Sequence, residues 1–399
     1  MRQTLSAVAQ CIAPSVTLKL NAQVAQMKQQ GLQVISLGAG EPDFDTPAHI
    51  CAAAKEAIDL GCTRYTDVAG LPQLRQCIAE ALYKNKGVRY EMCEIIVGAG
   101  VKQVLFDVLQ ALIDPGDEVI VFSPYWVSYP PLIRMTGGRP VIVRTLAENN
   151  FLPTAAQISA AVTPRTKAVI VNTPGNPTGA VWPRALLEEL MEIAARHQLY
   201  VISDEIYEKL IYDGHTHVSP AALSEDAFRR TVVVSGLSKS YAMTGWRVGY
   251  AAGPRELIAA MTALQSHVSG NCCTISQHAA LEALSASQEC VQRMAQSFDD
   301  RRKKMLACLQ NEHLMPAAVP QGAFYLLLDV HPYAGKTLND QPVDDDIAFC
   351  ELLLEQEHVA IVPGTPFGAQ GFVRLSYAAK EDDIAEGIRR IGHFVQSLQ

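Results

Sequence analysis

Between residues 94 and 251, short runs of β-branched and apolar residues alternate with longer stretches whose apolar positions recur every three to four residues. That alternation restricts the chain to a parallel α/β architecture. The expected strands are Glu94–Val97, Glu118–Phe122, Val141–Arg144, Ala168–Val171, Tyr200–Ser203, Thr231–Val234 and Val248–Ala251. Their near-continuous apolar character suits a sheet covered on both faces. Val101, Val104, Leu105, Val108, Leu109 and Leu112 have helical spacing, as do Leu186, Leu187, Leu190, Ile193 and Ala194. The second set follows Pro183, a residue suited to a first helical turn. The fold class is therefore α/β, with a large domain built on an open, mostly parallel sheet wrapped by helices.

After about residue 285 the pattern changes. A charged helical stretch from Asp299 to Lys304 precedes strand-like runs at Ala323–Leu328, Val359–Val362 and Phe372–Tyr377, which read as a smaller α+β lobe. The N-terminal segment has a helical pattern from Leu18 to Met27 and a turn at Gly38-Ala39-Gly40-Glu41-Pro42, and is expected to pack on that lobe. At 399 residues the chain exceeds what one core usually serves. The expected division is a large domain over 50–284 and a small one made of 1–49 with 285–399.

Composition excludes several classes. The chain is 49% hydrophobic, 19% charged and 7% aromatic, as soluble globular enzymes are. A formal charge of −8 argues against nonspecific nucleic-acid binding, which needs clustered Lys and Arg to displace counterions. The ten cysteines are scattered without any C-x-x-C spacing, so neither a metal site nor a disulfide framework is expected, and a reduced cytoplasmic setting is favoured. No long apolar region follows Arg2, and runs such as Phe324 to Leu328 are too short to span a bilayer, so no membrane partner is expected.

Four motifs fall at strand ends, where open α/β sheets bind ligands. Val97-Gly98-Ala99-Gly100-Val101-Lys102 is a glycine turn entering a helix, whose free N–H groups suit a phosphate. It lacks the third small residue of a dinucleotide fingerprint and the Lys-Ser/Thr of a P-loop, and a plain structural turn is an equal reading. Asn172-Thr173-Pro174-Gly175-Asn176-Pro177-Thr178-Gly179 makes a stiff loop able to hold Asn176 over a pocket. Ser203-Asp204-Glu205-Ile206-Tyr207 offers Asp204 and Tyr207 to one ligand, although Asp204 is equally a helix cap by pattern alone. In the stretch from Ser235 to Tyr250, Lys239 sits among small and apolar residues with Arg247 eight positions later. Most lysines are solvated, but one placed there loses solvation, which lowers its pKa and makes it a nucleophile toward an aldehyde.

Together, Asn176-Pro177-Thr178-Gly179, Ser203-Asp204-Glu205-Ile206-Tyr207, Ser238-Lys239 and Gly245-Trp246-Arg247-Val248-Gly249 resemble the class I, fold type I aminotransferases that use pyridoxal phosphate. The similarity runs from Gly40-Glu41-Pro42-Asp43-Phe44 to Arg374-Leu375-Ser376-Tyr377. It points to the bacterial aspartate aminotransferase subgroup, which shares runs like Ser123-Pro124-Tyr125-Trp126-Val127-Ser128-Tyr129-Pro130. The resemblance implies that Lys239 carries the cofactor and shuttles the proton, while Asp204 pairs with the ring nitrogen so that the ring accepts electrons. By the same resemblance Asn176 and Tyr207 bond the ring's phenolic oxygen and Trp126 stacks on the ring. Arg247 with the N–H groups of Gly100, Val101 and Lys102 holds the phosphate, and Tyr65 reaches it from the other subunit of a homodimer. Arg374, assisted by the backbone at Gly40, clamps the substrate α-carboxylate. Lys102 and Thr17 meet a distal carboxylate, which favours aspartate with 2-oxoglutarate over aromatic or alanine donors.

The chain departs from that pattern twice. Many relatives carry a serine three residues before the lysine, where this chain has Gly236, so Ser235 or Ser238 is left to supply the hydroxyl. Relatives that also accept prephenate tend to have a lysine before the Pro14-Ser15 pair, and Ala13 here puts that activity in doubt. A C–S lyase or decarboxylase on the same fold is the neighbouring reading, since the cofactor site alone does not fix which bond breaks. Transcription regulators on this fold need an added DNA-binding domain, for which 399 residues leave no room.

Overall fold

The computed structural model describes residues 5–12 and 16–399. Ala13, Pro14 and Ser15 lie outside the described residues, as does the side chain of Thr17, whose backbone belongs to the helix Val16–Gln29.

The seven expected strands join one sheet in the order Ile95–Gly98, Gly249–Ala252, Thr231–Gly236, Tyr200–Asp204, Thr166–Asn172, Glu118–Ser123, Arg139–Arg144. All neighbours run parallel except Gly249–Ala252, which is antiparallel to both of its partners. Side chains alternate between faces. Val119, Val121, Ile170 and Ile202 point into a core with the helix Val101–Leu112, whereas Ile120, Phe122, Val169, Val171 and Val201 face Leu187, Leu190 and Ile193 of the helix Arg184–Arg196. Both faces are dry, which explains why the strands read as continuous apolar runs. The last strand begins at Arg139, two residues before its apolar run, and so includes Pro140. A proline fits there because this is the outer strand of the sheet.

Residues Tyr325–Asp329, Phe372–Ser376 and Val362–Pro363 form a separate three-stranded antiparallel sheet. The expected single strand Val359–Val362 is instead two. Val359–Ala360 pairs in parallel with Ile35–Ser36, and after Ile361 the chain changes partner and Val362–Pro363 pairs with Phe372–Ser376. That switch ties the N-terminal segment to the C-terminal one. The charged stretch Asp299 to Lys304 lies inside the 23-residue helix Glu289–Asn311, whose Phe298 belongs to the same core as Phe349 of Asp346–Glu357 and Phe394 of Glu381–Ser397. The same core takes in Ile206, Tyr207 and Leu210, the residues that follow the strand ending at Asp204. Packing energy in this core therefore holds one wall of the cavity described next. No helix among the described residues is long and apolar enough to cross a membrane.

Candidate active site

The parallel strands end side by side, with Asn172 in register with Asp204, and the segments leaving these ends surround a cavity of about 700 Å³. Gly40, Val101, Lys102, Trp126, Asn176, Asp204, Tyr207, Lys239, Arg247 and Arg374 all line it. Residues up to 334 positions apart in the sequence, Gly40 and Arg374, are thus brought together as the motifs anticipated.

Lys239 follows the strand Thr231–Gly236 and is half-buried, its ammonium donating to the Gly40 carbonyl. Burial brings its pKa down to about 8, against the opposing pull of the Glu41 carboxylate. A drop from 10.5 to about 8 raises the neutral, nucleophilic fraction near pH 7 roughly 300-fold. Asp204 is buried at its strand end, with one oxygen accepting from the Ile206 N–H at 3.3 Å and the other from the Tyr129 hydroxyl at 2.7 Å. Burial lifts its pKa to about 6, and the two hydrogen bonds hold the rise back. The loss of solvation is therefore only partly compensated, and a cation beside Asp204 would complete it.

Arg374 is 2% exposed, yet among the described residues no carboxylate pairs with it. Its Nη1 donates to Asn176 Oδ1 at 3.1 Å and its Nη2 to the Gly38 carbonyl at 2.8 Å, while Nε is buried without a partner. The guanidinium lies over the rings of Tyr325 and Phe367, 4.4 and 5.0 Å from their centroids. A buried cation that lines a cavity and has no carboxylate partner suits an anion. The carbonyl that orients Arg374 is that of Gly38, two residues before Gly40, which lines the same cavity and accepts from Lys239 through its own carbonyl.

The glycine turn forms a second positively charged recess. Gly100 caps the helix Val101–Leu112 with φ +86°, and a Cβ there would lie 2.8 Å from Arg247 Cζ. A Cβ on Gly249 would lie 2.5 Å from the Val101 nitrogen. These positions need glycine so that Arg247 can approach the helix N-terminus, where Arg247 itself sits at φ +55° with its Nη1 on the Thr244 carbonyl. Lys102 is exposed at the mouth of the cavity with Nζ 5.1 Å from the Trp126 ring centroid, and partial loss of solvent together with the Arg247 charge lowers its pKa. Ser238 lines the cavity, whereas Ser235 turns to the Glu205 carbonyl and a Cβ on Gly236 would meet the Val248 carbonyl at 3.0 Å. Tyr65 is 96% exposed and lies outside the cavity lining of its own chain.

Two side chains at the site carried no signal of their own in the sequence. Tyr129, which bonds Asp204, was visible only as part of a longer run, and Tyr325 lay inside a strand of the smaller lobe. Behind the site, Glu205, Glu208 and His217 bring ligand-type atoms within 4.8 Å of one another, but the Lys86 ammonium bonds both carboxylates. Although burial opposes it, those carboxylates hold Lys86 above its usual pKa, and Lys86 and His217 hold the buried Glu205 below its own.

Comparison with known proteins agrees along almost the whole length. The profile of the family "Aminotransferase class I and II" matches residues 33–391. The aspartate aminotransferase of Bacillus sp. (strain YM-2) is 44% identical over 396 residues, covering 99% of this chain and 100% of that one. The aspartate/prephenate aminotransferase of Thermus thermophilus is 45% identical over 389 residues, 97% of each chain. The crystal structure of the aspartate aminotransferase from Rhizobium meliloti superposes with a TM-score of 0.95 at 42% identity, covering 100% of both chains. A family profile that matches residues 33–391, with a relative 44% identical over 99% of the chain, shows that the chain belongs to the class I and II aminotransferases.

Proposed function

We propose that this aminotransferase moves the amino group of aspartate to 2-oxoglutarate, with pyridoxal phosphate joined to Lys239. The observation that carries the reading is the cavity itself. It brings Lys239, the buried Asp204 carboxylate and the buried Arg374 guanidinium, which no carboxylate among the described residues pairs, to one lining.

When bound, pyridoxal phosphate supplies an aldehyde that takes up an amino group and a protonated ring that accepts the electrons left on Cα. The residues divide the remaining work. Asp204 meets the ring nitrogen and keeps its proton, a contact that also offsets the cost of burying the carboxylate. Arg247 and the N–H groups of Gly100, Val101 and Lys102 hold the phosphate at the helix N-terminus, with Ser238 supplying the hydroxyl that Gly236 lacks. Trp126 covers one face of the ring. Asn176 and Tyr207 bond the phenolic oxygen. Arg374 fixes the substrate α-carboxylate with its unused N–H groups. Lys239, with its lowered pKa, would be the group that takes the proton from the substrate Cα and holds it on Nζ for return. Lys102 and Thr17 receive the distal carboxylate, which sets the preference for a dicarboxylic donor.

Tyr65, exposed and held by the bond of Thr274 Oγ1 to the Arg64 carbonyl, reaches the phosphate of a second subunit, so the working unit is a homodimer. The free thiols among the described cysteines suit a reducing, cytoplasmic setting. The division into 50–284 and 1–49 with 285–399 is supported by the seven-stranded sheet falling within the first range and the three-stranded sheet within 285–399. The test is covalent. Borohydride should fix pyridoxal phosphate to the wild-type protein at Lys239 and leave Lys239→Ala unlabelled, and fixation at another lysine would overturn the assignment.

A further inference from the structure

Tyr325 joins two parts of the site that are usually considered apart. Its ring lies under the Arg374 guanidinium, 4.4 Å from the centroid, and its hydroxyl is 2.9 Å from that of Tyr207. Both hydroxyls are buried, and the two rings meet edge to face at 5.7 Å. The Tyr325 hydroxyl also looks onto Gly40, since a Cβ built there would stand 3.7 Å from it, and the Gly40 carbonyl is the acceptor for Lys239. One side chain thus touches the carboxylate clamp with its ring and the partner of the cofactor oxygen with its hydroxyl.

We propose that Tyr325 is a positioning residue that sets the acidity of the Lys239–cofactor linkage by hydrogen-bonding Tyr207. The inference rests on Tyr207 facing the cofactor's phenolic oxygen, as given above. Each tyrosine hydroxyl has one proton. If Tyr207 gives its proton to the cofactor oxygen, only Tyr325 can donate within the pair. That donation makes Tyr207 a stronger donor, because hydrogen bonds in a dry chain polarise one another. A stronger donor stabilises the phenolic anion and weakens its hold on the proton shared with Lys239 Nζ. Without the Tyr325 hydroxyl the linkage keeps its proton to higher pH. The effect passes through one intervening hydroxyl, so the expected rise is about half a pH unit, roughly threefold in proton affinity.

The hydroxyl and the ring can be tested apart in the holoenzyme. Tyr325→Phe should raise the pH midpoint of the bound cofactor's absorbance while leaving the dissociation constant of maleate, a dicarboxylate probe of the clamp, within about twofold. Tyr325→Leu should raise the midpoint equally and also weaken maleate several-fold, because the face under Arg374 is lost. Either variant alone reads the shift. In a Tyr207→Phe background, removing the Tyr325 hydroxyl should move the midpoint no further. An unchanged midpoint in Tyr325→Phe would overturn the proposal, as would a loss of maleate affinity in Tyr325→Phe as large as in Tyr325→Leu. A wild-type protein with no cofactor absorbance that borohydride can remove would instead overturn the assignment of Lys239.

Discussion

Arg374→Lys keeps the charge and removes the fork, and the structure gives the size of the effect. A guanidinium has five N–H donors. In Arg374 one goes to Asn176 Oδ1 and one to the Gly38 carbonyl, which leaves the second N–H of each Nη for a ligand beside the buried, orphaned Nε. A carboxylate takes two of them side by side. A lysine has three donors, and the same two acceptors would leave it one. The substitution therefore deletes one charge-assisted hydrogen bond to substrate, worth about 1.5–3 kcal/mol, or roughly 10- to 150-fold. The single-turnover kcat/KM for aspartate should fall by that factor, and maleate affinity should fall with it. Arg374→Leu should cost far more in catalysis. It should nonetheless leave the ligand-free protein as stable as wild type or up to about 4 kcal/mol more stable, because a buried unpaired charge is removed. Thermal melts with and without maleate separate the two effects. If Arg374→Lys bound maleate like wild type with kcat/KM unchanged, the α-carboxylate would have to sit elsewhere and the clamp would be wrong.

Three further outcomes follow from the same geometry. Lys102→Ala should lower kcat/KM for aspartate about ten- to a hundredfold while affecting alanine much less; equal losses for both would mean that Lys102 serves the phosphate or the helix. Asp204→Ala should retain covalently bound cofactor by absorbance yet lose most of its turnover, and a kcat near wild type would refute the ring-nitrogen contact. Lys86→Ala leaves the Glu205 and Glu208 carboxylates without their ammonium, so urea unfolding should show a loss of about 3–5 kcal/mol, whereas an unchanged midpoint would show that His217 compensates.

The sheet was legible because its signal is local. All but the outer strand Arg139–Arg144 are buried on both faces, so composition alone marks them, and observed ends fall within about two residues of the apolar runs. The failure at Val359–Val362 has the opposite cause. Nothing within four apolar residues records that the first two pair with Ile35–Ser36 and the last with Phe372–Ser376, since partner choice is decided by segments more than 300 residues away and by the strand beside them. Pro140 similarly argues against a strand start until the outer position of that strand is known.

The site divides along the same line. Lys239, Asp204 and Asn176 stand in turns whose glycines, prolines and strand ends advertise them, and Arg374 is marked by its family context. Tyr325 and Tyr129 have no such setting. Tyr325 belongs to the strand Tyr325–Asp329, where an aromatic residue needs no explanation beyond packing, and its ring does pack against Phe324. What distinguishes it is a hydroxyl aimed across to Tyr207, 118 residues earlier, and a face presented to Arg374, 49 residues later. Those relations exist only after the smaller lobe's core has closed over Ile206, Tyr207 and Leu210. Apart from Arg374, which stands on the strand Phe372–Ser376, the residues proposed to touch ligand sit on loops or at strand ends with conspicuous backbone chemistry, because the backbone itself must be shaped around the ligand. Residues that act through another side chain need only a rigid element to stand on, and on a buried strand they are indistinguishable in sequence from the core around them.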